Sequence, residues 1–199
     1  PKFHVELGHA GYFRELAGRL ALGEDAVEEL RALIEGKNFA ALKDFLAPWR
    51  GDPACAALER LSRLFGGAEV LGQAERLAGK TPAVDYLARL YDELSAAGYG
   101  PYVRFDLGMV HQIDYYTGVV FRGYVEGAGD AVLSGGRYDN LVGLFGREAQ
   151  ATGFAVDVDA VARTLPELAP PVLRTLVHYE PGYLAPALEA VDGRPAGTC

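Results

Sequence analysis

Two short stretches hold most of the side chains that can do recognition chemistry. The first runs Val110-His111-Gln112-Ile113-Asp114-Tyr115-Tyr116-Thr117-Gly118-Val119-Val120-Phe121. The second runs Ser134-Gly135-Gly136-Arg137-Tyr138-Asp139-Asn140-Leu141 and is followed by Gly153-Phe154-Ala155. A tyrosine hydroxyl both donates and accepts, so two of them can bracket the nitrogens of an imidazole. Adjacent glycines let backbone come close to a neighbour that a side chain would keep away. Successive strand residues face opposite ways, so Tyr115 and Tyr116 cannot both enter one pocket from a regular strand. A second reading stays open, in which Tyr115, Tyr116 and Tyr138 are core aromatics with satisfied hydroxyls. His111 reads either as an imidazole without a role or as a hydrogen-bond partner for a carboxylate. Arg137 reads either as a pocket support or as the partner of a neighbouring acid. His4 and His9 have no paired cysteine or acidic cluster beside them, so no metal site is expected. Cys55 and Cys199 are far apart and read as two free thiols.

These residues need elements to carry them. Phe3, Val5 and Leu7 alternate with polar neighbours, the period of a half-buried strand. Tyr12 to Leu22 reads as a helix, and the chain stays helical to Gly98. Val27, Leu30 and Ile34 share one face; Leu42, Phe45 and Leu46 share another. Asp52-Pro53 and Thr81-Pro82 are helix starts, with a capping side chain before a proline. Leu58, Leu61, Leu64 and Phe65 follow the first on one stripe. Val84, Leu87, Leu90, Tyr91 and Leu94 follow the second, and Gly98 ends that helix. After Gly100 the texture becomes strand-like. Tyr102 to Leu107 alternates, and Thr117 to Glu126 is rich in Val, Phe and Tyr. Gly127 to Asp130 is a hairpin turn before a strand at Ala131 to Ser134. Arg137 to Phe145 reads as helix. Thr152 to Val158 reads as a buried strand leading to a helix at Ala160 to Leu165. Leu173 to His178 reads as one more strand. Helices followed by neighbouring strands argue for an α+β fold with an antiparallel sheet flanked by helices.

The bulk numbers narrow the function classes. The chain has 199 residues, half of them hydrophobic, enough for one domain and a small appendage. No apolar run approaches a membrane span. No secretion signal is visible, and the opening Pro1-Lys2-Phe3 without Met suits part of a longer protein. The net charge of -8 argues against a tRNA-binding surface, which needs clustered Lys and Arg.

In order and spacing, the two tyrosine-bearing stretches and Gly153-Phe154-Ala155 resemble the histidine-binding elements and final motif of class II histidyl-tRNA synthetases. The likeness covers about residues 1–165. It implies a class II synthetase-like core at 1–170, with a mostly helical insertion at 10–100 and the sheet with its ligand motifs at 101–165. Residues 171–199 would begin a small α/β appendage. The resemblance makes Tyr116 and Tyr138 the imidazole-bracketing pair. It adds Tyr115, His111, Asp114, Gly135, Gly136 and Arg137 to the expected histidine pocket.

The chain also departs from that family. His111 stands where the synthetase has an Arg beside the reacting carboxylate and phosphate, and Gln112 replaces a Gly. Asp159-Ala160 replaces a Glu-Arg pair whose Arg grips ATP, and Asp157 replaces a Gly. Losing one electrostatic donor to a transition state costs about 100- to 1,000-fold in rate. Two such losses leave no effective adenylating enzyme, so no catalytic residue, metal or cofactor is expected. A branch of the family without aminoacylation assembles with a short-form ATP phosphoribosyltransferase catalytic subunit. The resemblance to that branch implies a cytoplasmic regulatory subunit in histidine biosynthesis that senses free histidine. It would form a homodimer within a hetero-oligomer. The alternative is a divergent histidyl-tRNA synthetase.

Overall fold

The computed structural model describes residues 2–110, 116–146, 149–165, 178 and 180–192. The chain forms two compact units, Pro1–Thr164 and Leu165–Cys199. The first begins with strand β1 (Phe3–His9), then helices α1 (Ala10–Arg19), α2 (Glu24–Glu35), α3 (Phe39–Phe45) and α4 (Pro53–Arg60). A two-residue strand β2 (Phe65–Gly66) interrupts the helices before α5 (Glu69–Ala78) and α6 (Pro82–Ala96). Strands β3 (Val103–Asp106), β4 (Val119–Val125) and β5 (Leu133–Arg137) follow. Helix α7 (Asp139–Gly143), strand β6 (Thr152–Val156) and helix α8 (Val158–Thr164) complete this unit. In the second unit the described residues hold one helix, α9 (Leu184–Asp192). The strand expected at 173–178 lies almost wholly outside the described residues. Among the described residues no helix is long and apolar enough to cross a membrane.

The two helix starts form as their side chains dictate. Ala54 N–H donates to Asp52 Oδ1 at 2.7 Å, and Val84 N–H donates to Thr81 Oγ1 at 3.2 Å. Each bond satisfies a first-turn donor that the helix itself cannot pair. Gly98, at φ +87, turns the chain out of α6 in the left-handed conformation that glycine adopts without strain. The expected stripe after α4 ends earlier than its spacing suggests. Leu58, Leu61 and Leu64 are buried, but Phe65 leaves the stripe and is 52% exposed in β2. A 3-10 turn at Leu61–Arg63 changes the residue period and swings Phe65 away.

The sheet has the order β2-β3-β1-β4-β5-β6. Every neighbouring pair is antiparallel except β1 and β3, which run parallel. The sheet is therefore mixed rather than wholly antiparallel. The long helical connection between β1 and β3 makes the parallel pairing reachable, as a hairpin could not. Leu7, Val103, Phe105 and Val119 join the buried residues of α1, α4, α5 and α6 in one core on one face. β6 departs from the buried strand expected there. It lies at the end of the sheet, and Phe154 is 68% exposed.

Candidate functional site

The face of the sheet opposite the core carries the recognition side chains. Cross-strand partners share a face, and the register pairs Glu6 with Arg122, Gly8 with Val120, Val120 with Gly136, Arg122 with Ser134, and Gly136 with Gly153. Over this face lies a cleft of about 1150 Å³. Glu6, Asp106, Arg122, Tyr124, Ser134 and Tyr116 are among its lining residues. Ile34, Glu35 and Lys37, at the C-terminal end of α2, form part of its rim.

Tyr116 and Tyr138 meet at one end of this face, their ring centroids 6.5 Å apart and their planes inclined by 58°. Each is seated on a glycine. A Cβ on Gly136 would lie 2.7 Å from the Tyr116 ring, and a Cβ on Gly153 would lie 2.5 Å from the Tyr138 hydroxyl oxygen. Those separations are far inside contact distance, so the paired glycines are what let both rings lie down on the strands. Gly135, facing the other way, is closed in by the Gly153 carbonyl, the Phe154 Cβ and the Phe121 ring. The neighbours that come close to these glycines are thus the protein's own groups.

Backbone bonds hold the two tyrosine segments together. Thr117 N–H donates to the Arg137 carbonyl at 2.8 Å, and Asp139 N–H donates to Thr117 Oγ1 at 3.0 Å. Tyr138 N–H donates to the Ala151 carbonyl at 2.8 Å. Arg14 Nη2 donates to the Tyr116 carbonyl at 3.2 Å, linking α1 to the segment. Arg137 is held by Asp139, with Nε 2.8 Å from Oδ2 and 3.0 Å from Oδ1. That bond raises the pKa of Arg137. Asp139 Oδ1 also accepts from Ala151 N–H at 3.3 Å.

The structure thus brings together Tyr116, Tyr138, Gly135 and Gly136, and it places Arg137 against Asp139. Tyr115, His111 and Asp114 lie outside the described residues. Sequence reasoning missed Thr117, Asp139 and Gly153 as the residues that fix the tyrosines. Only the Gly136 to Gly153 register exposes the role of Gly153, and that register is a long-range property.

The electrostatics of the cleft are mixed. Glu6, Glu35, Asp106 and Asp130 line it together with Lys37 and Arg122. Burial pushes the Asp106 carboxyl above its ordinary range, against a bond from Gly108 N–H at 2.9 Å. On the opposite face, His9 caps α1 by accepting from Gly11 N–H at Nδ1, 3.0 Å away. Burial, with help from Arg14 and Arg137, lowers its pKa to about 4, so the ring stays neutral as the cap requires. Asp157 caps α8, accepting from Ala160 N–H at 2.8 Å. Ala160, in the first turn of this helix, presents only a methyl group.

The family model described as histidyl-tRNA synthetase matches residues 1–161. A protein of Clostridium acetobutylicum, named ATP phosphoribosyltransferase regulatory subunit, is 43% identical over 82% of the chain and 42% of its own length. One of the same name from Bacillus cereus is 38% identical over 93% of the chain and 46% of its own length. The chain thus spans less than half the length of these relatives. A solved structure from Bacillus halodurans, titled ATP phosphoribosyltransferase regulatory subunit/histidyl-tRNA synthetase, has a TM-score of 0.73 at 34% identity. It covers 83% of this chain, which covers 45% of it. With the matched model spanning the whole sheet, helices α1 to α7 and both tyrosine segments, the chain belongs to the histidyl-tRNA synthetase family.

Proposed function

We propose that this chain is part of a non-catalytic, cytoplasmic regulatory subunit of ATP phosphoribosyltransferase, acting at the first step of histidine biosynthesis and sensing free histidine. One observation carries the reading. The tyrosine pair is seated on its glycines, and Ala160 stands where the resemblance to the synthetase motif would put the phosphate-gripping Arg. A sensor needs an imidazole pocket and has no use for an ATP clamp. The names of the Clostridium and Bacillus relatives support the same role. The pocket takes histidine between Tyr116 and Tyr138, with Tyr115, His111, Asp114, Gly135, Gly136 and Arg137 in or around it. The subunit works as a homodimer within a hetero-oligomer that contains a short-form catalytic subunit. Feedback is then a coupling free energy between the histidine cleft and the partner's active site.

The test mixes the full-length protein with a short-form ATP phosphoribosyltransferase and follows phosphoribosyl-ATP formation with and without histidine. The expected result is stimulation by the subunit and inhibition by histidine. Tyr116→Phe or Tyr138→Phe should weaken the inhibition about 2- to 10-fold, the worth of one neutral hydrogen bond. Failure to form a complex or to stimulate would overturn the proposal. Histidine-dependent pyrophosphate exchange by the full-length protein alone would favour the synthetase alternative instead.

A further inference from the structure

The tyrosine pair has a back as well as a front. Residues alternate along a strand, so on β5 Gly136 faces the tyrosines while Gly135 and Arg137 face the helical layer. Arg137 therefore acts from behind the cleft. Its side chain lies across Gly118, where an added Cβ would come within 3.1 Å of the Arg137 Cδ. Its guanidinium grips Asp139 and also comes within hydrogen-bonding reach of the Tyr86 hydroxyl on α6. Tyr86 is half-buried and is followed by the fully buried Leu87, so its ring projects from a helix that the core holds still. The same ring meets His9, the α1 cap, edge-on at a centroid distance of 5.4 Å.

Asp139 is the hub that these contacts steady. Its N–H donates to Thr117, the neighbour of Tyr116. Its carboxylate accepts from Ala151 N–H, and the Ala151 carbonyl accepts from Tyr138 N–H. Gly153, the seat of Tyr138, lies two residues beyond Ala151. One residue thus ties together the segments that carry both rings and the seat of the second. Its carboxylate reaches Ala151 only in one orientation, and a guanidinium on it fixes both its charge and its plane.

We propose that Tyr86 and Arg137 are positioning residues for the tyrosine pair, acting from the helical side of the sheet. Tyr86 anchors Arg137 to α6, Arg137 orients Asp139, and Asp139 sets the spacing of the segments on which Tyr116 and Tyr138 rest. Arg137 then belongs to the wall behind the pocket and not to its lining. Helix α6, which does not reach the tyrosines itself, is tied to them through one hydroxyl. The effect of this brace on a ligand rests on reading the cleft as a histidine site; its effect on the segments does not.

The test is amide hydrogen exchange of the full-length protein, wild type and Tyr86→Phe, followed by titration with L-histidine. Tyr86→Phe removes one hydroxyl and keeps the ring against His9. In the free variant, exchange at the Thr117, Tyr138, Asp139 and Ala151 amides should quicken about 3- to 10-fold, the worth of one hydrogen bond. The Ala54 amide, bonded to the α4 cap, should not change. Histidine affinity should fall by about the same factor. Arg137→Gln should weaken it further, with Arg137→Lys recovering part of the loss. Adding Tyr86→Phe to Arg137→Gln should cost nothing more, because the hydroxyl acts only through the guanidinium. Unchanged exchange at the four amides overturns the proposal, and so does quickening that includes Ala54, the sign of general loosening. Full histidine affinity in Tyr86→Phe, or losses that simply add in the double variant, overturns it too and leaves the histidine sensor standing. If the wild type binds no histidine, the sensor reading falls, and the exchange result alone decides the brace.

Discussion

The strongest consequences at the scale of single residues come from Gly153 and His9. Gly153→Ala places a methyl group where the Tyr138 hydroxyl now lies, so the ring must lift off the strand. Histidine affinity, measured by titration, should fall at least about 10-fold, while Tyr138→Phe in the same assay loses only one hydrogen bond. His9 gives a pH signature. Its folded pKa of about 4 lies below the unfolded value of 6.5. The unfolded chain therefore binds more protons in that window, and stability falls as pH drops from about 6.5 towards 4. The loss is up to about 3 kcal/mol before solvent screening of the partly exposed ring is allowed for. Thermal melts across that range should show the slope. His9→Asn, which keeps a capping acceptor, should flatten it. The sequence names both tyrosines but not their seats. Tyr116 and Tyr138 are legible because a run of neighbours marks them. Gly153 is one glycine among many until β5 and β6 are paired.

The elements repeat this division between local and long-range information. Both proline-marked helix starts are visible in the sequence because cap, proline and apolar stripe lie within a few residues. Asp52→Ala and Thr81→Ala should each cost about 1 kcal/mol, read from the shift of a denaturant midpoint. Leu87→Ala, in the fully buried face of α6, should cost about 2–5 kcal/mol in the same measurement. The sequence did not show the parallel pairing of β1 with β3, because nothing local distinguishes a strand's direction. Nor did it show the exposure of β6. The stretch Thr152 to Val158 reads as a buried strand, yet Phe154 and Val156 are exposed, since an apolar sequence does not report what covers it. Phe65 was lost to the helical stripe because a 3-10 turn changes the period within three residues.

For the whole molecule, charge and architecture act together. The acidic total and the carboxylates lining the cleft oppose polyanions, so titration with ATP should show far weaker binding than the binding proposed for histidine. The helical block reaches the same cleft through Ile34, Glu35 and Lys37, so a ligand on the sheet also meets the end of α2. The pairing of Gly136 with Gly153 has a consequence for how such a pocket can change over generations. Neither glycine can gain a side chain while its tyrosine stays, and trimming a tyrosine alone leaves a hole above a bare strand. A new ligand preference is therefore reached only by coupled replacements, a larger residue on the strand arriving together with a smaller ring. The present pocket is correspondingly resistant to drift one mutation at a time.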